Sequence, residues 1–162
     1  MKTTTILALT VAILILISAP TASAYVPYLE KGDYSKAHPF PIQKVEQSIA
    51  VYAWLSTGHR SFSDDIDVYA FEVTAPVSIY LSVLVPVCDG YEDYAPWFAL
   101  VGPNMPDPGE PLPFEIPAGY GAVVLHNTEP GQPREQFWEP FGGKAYYQGP
   151  EFKETMDEPG VY

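Results

Sequence analysis

Residues Asp65–Pro86 read DIDVYAFEVTAPVSIYLSVLVP, two runs of alternating apolar and polar residues separated by a short link. Asp67, Tyr69, Phe71 and Val73 share one face of the first run, and Val77, Ile79, Leu81, Val83 and Val85 share one face of the second. Side chains of a strand alternate between faces, so this pattern describes two strands that each bury one side, and their closeness in sequence predicts an antiparallel hairpin. A helix would scatter the same residues around its axis.

Working outward, Ser48–Ser56 (SIAVYAWLS) reads as a strand apolar on both faces, and Trp97–Val101 as a short apolar strand closed by Gly102-Pro103. Phe114–Ile116 reads as a short strand, Gly121–His126 as a firmer one, and Glu135–Tyr147 as two strands around Gly142-Gly143, a turn suited to positive φ. Glu151–Met156 adds another. Tyr25–Gln43 lacks periodicity and contains Pro27, Pro39 and Pro41, so residues 25–47 are expected to be an extended lead-in. Short strands at regular spacing, turns between them and no helical period describe an all-β chain. The expected architecture is a single antiparallel sandwich or jelly roll over residues 48–162.

Residues 1–24 have a different character. Lys2, the apolar run Ile6–Ile17 and the small residues Ala22-Ser23-Ala24 form the pattern of a secretory signal peptide, with the mature chain beginning at Tyr25. The apolar run is short for a bilayer span, which takes about 20 residues. The chain is therefore expected outside the cell or on the envelope exterior, with no membrane contact after cleavage.

Of 162 residues, 20 are acidic and 8 basic, a net charge of −12, and the leader's only charge is Lys2. Clustered Lys and Arg, which binding to phosphate chains requires, are lacking, so nucleic acid is not an expected partner. Cys88 is the sole cysteine, so no internal disulfide is available and stability must come from packing. It reads as a strand-end thiol beside the turn Asp89-Gly90.

The pattern Asp65-x-Asp67-x-Tyr69-x-Phe71-x-Val73, with Gly160-x-Tyr162 far downstream, resembles the prokaryotic pre-peptidase C-terminal domains. The resemblance implies a small secreted β-sandwich of the kind that accompanies exported enzymes and surface proteins. Ala99–Pro103, Pro113–Pro117, Gly119–Leu125 and Glu139-Pro140-Phe141 are also similar to a group of uncharacterised small secreted prokaryotic proteins. Such domains continue past G-x-Y into a full strand, whereas only Val161 and Tyr162 follow Gly160. The resemblance thus implies a sandwich lacking its last strand, with an edge open to a strand-donating protein or to a second copy in a homodimer.

Catalytic signatures are absent. His38, His59 and His126 have no metal-binding spacing, and no G-x-S-x-G stands in the chain. Two candidate sites remain. Asp64, Asp65 and Asp67 precede one strand of the expected hairpin and Asp89, Glu92 and Asp93 follow the other, so pairing would bring six acids to one end of the sheet. Calcium, with its preference for six to eight oxygen ligands, is the cofactor such a cluster would hold. Trp97, Tyr120, Trp138, Tyr146 and Tyr147 lie near turns and form a candidate aromatic platform for polysaccharide, the alternative being that they fill the core. The resulting expectation is a non-catalytic module acting in binding or surface assembly. A carbohydrate-binding module and a hydrolase with dispersed residues are the competing readings.

Overall fold

In a computed structural model, the described residues are 25–32, 34–55, 66–129, 131–140 and 142–162. The expected leader at residues 1–24 lies outside them. Ten strands and no helix occur among the described residues: β1 (Val26–Leu29), β2 (Phe40–Ile42), β3 (Ile49–Tyr52), β4 (Tyr69–Val73), β5 (Val77–Pro86), β6 (Phe98–Pro103), β7 (Tyr120–Leu125), β8 (Gln136–Glu139), β9 (Lys144–Met156) and β10 (Gly160–Val161). The chain is all-β and sandwich-like, as its alternation predicts.

Burial along β5 follows the sequence pattern without a break. Val77, Ile79, Leu81, Val83 and Val85 are buried or half-buried, while Ser78, Tyr80, Ser82, Leu84 and Pro86 are exposed. Phe71 and Val73 are likewise buried on β4. The hairpin is the part that fails. β4 lies between β10 and β2, whereas β5 pairs with β9. The link Thr74-Ala75-Pro76 offers no residue suited to the positive φ of a tight hairpin turn, and Pro76 has no amide proton for a ladder. β9 supplies instead nine antiparallel pairs to β5, from Val77↔Met156 to Pro86↔Tyr146.

The lead-in is extended, as its prolines require, but it is built into the sandwich. β1 pairs in parallel with β3, and β2 pairs in parallel with β4 through Phe40↔Tyr69, Pro41↔Ala70 and Ile42↔Phe71. Phe40 explains the docking: its ring meets those of Tyr28, Tyr34 and Tyr69 at 5.6, 5.0 and 6.0 Å, all three edge-on. Pro27 and Pro41 sit on outer strands, where a missing donor is tolerated. The fold therefore starts well before residue 48.

Two other expectations shift. Phe114–Ile116 is loop, not strand, and Glu151–Met156 is the far half of the 13-residue β9. β9 absorbs an irregularity midway, setting Gly149 and Pro150 against the single residue Val83, because Pro150 cannot donate to the ladder. The β8–β9 hairpin forms as expected, Glu139 pairing with Lys144 across Gly142-Gly143, with Gly143 at φ 61°.

Phe71, Val73, Ile79, Leu100, Phe152, Met156 and Tyr162 form the main core cluster. Tyr162 closes it. Its ring stacks on Phe71 at 5.5 Å, and its backbone exchanges two hydrogen bonds with Phe71, of 2.8 and 3.0 Å. Together with Gly160↔Val73 and Val161↔Glu72, this pairs the short β10 with one edge of β4. The buried Tyr162 ring anchors this two-residue strand.

Candidate functional site: an aromatic face on β8 and β9

The five candidate aromatics fall into three places. Tyr146 is only 8% exposed, packed against Phe137 at 6.2 Å, so it belongs to the interior and not to a platform. Trp97 precedes β6 and Tyr120 begins β7, at opposite ends of the β6–β7 ladder, since Phe98 pairs with Leu125 and Pro103 with Tyr120. Trp138 and Tyr147 are brought together. The pairs Gln136↔Tyr147 and Trp138↔Ala145 put Gln136, Trp138, Ala145 and Tyr147 on one face of the β8–β9 hairpin. Tyr147 is then the diagonal neighbour of Trp138, within reach of an aromatic side chain.

This face opens toward its outer strand. Val85, opposite Tyr147 on the inner side, is 2% exposed, Tyr147 is half-buried, and Trp138 on β8 is 65% exposed. Ala145 opposite Trp138 is small, which leaves the indole ring uncovered. Arg134 continues the stripe: its guanidinium lies 4.6 Å from the centre of the Tyr147 ring, and its Nη1 donates to the Tyr94 carbonyl at 2.8 Å. Its Nε and Nη2 are shielded from solvent without a hydrogen-bond partner, and desolvation pulls its pKa below the usual guanidinium value. Arg134, Gln136 and Trp138 follow a period of two. That period was the available signal for an arginine that sequence reasoning missed.

A second recess lies in the long β6–β7 connection, an open groove of about 580 Å³ lined by Met105, Asp107, Glu110, Leu112, Phe114 and Tyr120 among others. Its acids are engaged locally. Asp107 Oδ1 accepts from the Gly109 amide at 2.8 Å, and Glu110 Oε1 lies 2.7 Å from His126 Nε2, whose ring leans on Trp97 at 5.4 Å.

The convergence expected of the six acids rested on a β4–β5 hairpin, and β4 and β5 are not paired. Asp64 and Asp65 lie outside the described residues. Asp67 Oδ1 accepts from the Tyr34 amide at 3.3 Å, Glu92 Oε2 from Gly90 at 2.8 Å and Asp93 Oδ1 from Gly131 at 3.0 Å. Asp89 sits in the turn after β5. Among the described residues no group of three or more His, Cys, Asp or Glu gathers as a metal site would require.

Polar chemistry gathers instead around tyrosines. The Tyr25 hydroxyl donates to Glu139 Oε2 at 3.2 Å and lies 3.2 Å from the Tyr52 hydroxyl, and Glu139 also accepts from the Gly142 amide. A carboxylate only accepts, so Tyr25 is the donor in its contact with Glu139. The Tyr52 hydrogen bond, desolvation and the Glu139 charge all raise the Tyr25 pKa. Burial raises Tyr69, with Asp67 and Glu30 adding to it, and burial also raises Tyr146 and Tyr162. The unfolded chain then releases these protons near pH 10 while the folded chain holds them. Stability is therefore expected to be level through neutral pH and to fall as pH rises above about 10. A melting-temperature series from pH 7 to 12, with tyrosinate absorbance, checks this; a flat profile to pH 12 would contradict it.

Comparison of the chain with protein-family models, curated proteins and solved structures gives no match.

Proposed function

We propose that this protein is a secreted, non-catalytic β-sandwich module that acts by binding, with the Arg134–Gln136–Trp138–Tyr147 face as its contact surface and a polysaccharide as its ligand class. The observation that carries the reading is Trp138, a large indole left 65% exposed on an outer strand, opposite Ala145 and diagonal to Tyr147. Flat aromatic faces offer sugar rings broad contact area with little conformational cost. Kinship with pre-peptidase C-terminal domains belongs to the same proposal. It is supported by the pairing of its two motif halves, Asp67–Val73 and Gly160–Tyr162, on neighbouring strands.

Retention on insoluble cellulose, chitin and xylan tests the reading. Trp138→Ala should abolish retention while changing stability by less than about 0.5 kcal/mol, as for an exposed position without special contacts. Trp97→Ala should leave retention intact. If Trp138→Ala binds as wild type does, or no polysaccharide is retained, the reading fails. If soluble fragments appear and are lost in Glu110→Gln, the groove is the site and the chain is a hydrolase.

Export is part of the proposal. Mass spectrometry of secreted material should find Tyr25 as the first residue, and recovery of the intact Met1 chain from membranes would overturn it.

A further inference from the structure

β5, like β8, is an outer strand of the order β5-β9-β8, and among the described residues no strand pairs with its other side. Ten residues long, it exceeds the usual strand. Exposed edges are normally blunted by charges, by prolines within the strand or by bulges. Here none of these applies along its length. From Val73 to Cys88 no residue is charged, Pro86 stands only at the end, and the irregularity opposite Val83 is taken up by β9, so the alternation of β5 is unbroken. On the outer face, Tyr80 is 56% and Leu84 38% exposed.

We propose that β5 pairs with β5 of a second copy of this chain, antiparallel and about a two-fold axis at Ser82. Opposed residues in an antiparallel pair share a face, so inner positions must meet inner ones and outer positions outer ones. An axis at Ser82 satisfies this and sets Tyr80 against Leu84 of the other copy, twice. On the inner face it sets Ile79 against Val85 and Leu81 against Val83. The two largest exposed apolar side chains of the strand thereby cover each other, and two three-stranded sheets join into one of six strands. Self-pairing of one patch is the closed, isologous arrangement that two-fold dimers use.

The lack of charge along this edge lets a second copy approach it. The chain is strongly acidic, so most surfaces of two copies repel. The nearest acid on the adjoining strand is Glu151, opposite Ser82 on β9 and hydrogen-bonded to the Tyr80 hydroxyl at 2.6 Å. Three strand spacings would separate the two Glu151 residues, about 14 Å, beyond the screening length of about 8 Å at physiological salt. This inference is independent of the polysaccharide reading, since Trp138 lies on β8 at the opposite border of the sheet.

The mature chain should sediment as a dimer at about 0.1 mM. Ser82→Lys sets two ammonium groups face to face at the axis and should yield a monomer with an unchanged melting transition in the dilute limit. With Cys88→Ser as background, Ser82→Cys should form a disulfide-linked dimer on mild oxidation. Ser78→Cys should not, since its two copies would stand eight residues out of register, about 27 Å apart. A monomeric wild type at that concentration overturns the proposal, including the case in which hydrogen exchange finds β5 amides protected by some other segment. So does a dimer that survives Ser82→Lys, or one in which Ser78→Cys cross-links as readily as Ser82→Cys.

Discussion

Tyr162→Ala is expected to destabilise the fold by about 3–5 kcal/mol, a large share of a typical domain's stability. The ring is 8% exposed and stacked on Phe71, and it lies directly over Gly102, where a Cβ would stand 2.1 Å from Tyr162 Cδ1. Removing the ring empties a space bordered by β4 and β6 that the backbone has no slack to fill. Tyr162→Phe keeps the stack and loses only the hydroxyl bond to the Glu158 carbonyl, 2.9 Å, so about 1 kcal/mol is expected. Gly102→Ala should cost about 1–3 kcal/mol in the wild-type background by overpacking, and less once Tyr162 is Ala. Urea unfolding of the four corners of that cycle measures the coupling. Additive losses would show that the ring does not rest on Gly102.

Gly121→Ala is expected to be the most damaging single methyl in the protein, at about 3 kcal/mol or more. Its Cβ would lie 2.1 Å from the Met105 carbonyl oxygen and 2.3 Å from that of Pro106. Both are backbone atoms, so no side chain can swing aside, and the Ala122 amide bond to Pro106, 2.8 Å, would break as the segment is pushed away. The same displacement would open the 105–121 groove. Gly32→Ala, with nothing within 4 Å of its Cβ and ordinary φ, provides the control and should stay within about 0.5 kcal/mol. Equal effects from the two would discount the close approach at Gly121.

These positions show how the reading of the chain divides. Alternation in β4 and β5 is a local property, because each side chain's face follows from its own backbone, and the buried set Phe71, Val73, Ile79 and Val85 was legible without any partner strand. The Gly142-Gly143 turn was legible for the same reason. Pairing is not local. Whether β4 joins β5 or is split between β2 and β10 depends on what β9 and the aromatic cluster at Phe40 offer, residues tens of positions away. The expected convergence of the candidate acids rested on that same hairpin.

The aromatic site follows the same division. That 138 and 136 share a face, and 147 and 145 another, was in the sequence. That those two faces are one, with Tyr146 turned inward behind them, needed the β8–β9 register. The sequence by itself determined that the chain is all-β, which residues of each strand lie inward, and that no internal disulfide can hold it, because strand periodicity and the single cysteine are properties of the chain. Only the tertiary structure decided which strands are neighbours, that Tyr162 seals the core, that Trp138 stands open and that no strand among the described residues pairs with the second edge of β5. Those outcomes arise from competition among distant segments for the same hydrogen bonds and the same buried space, and no local pattern records who wins.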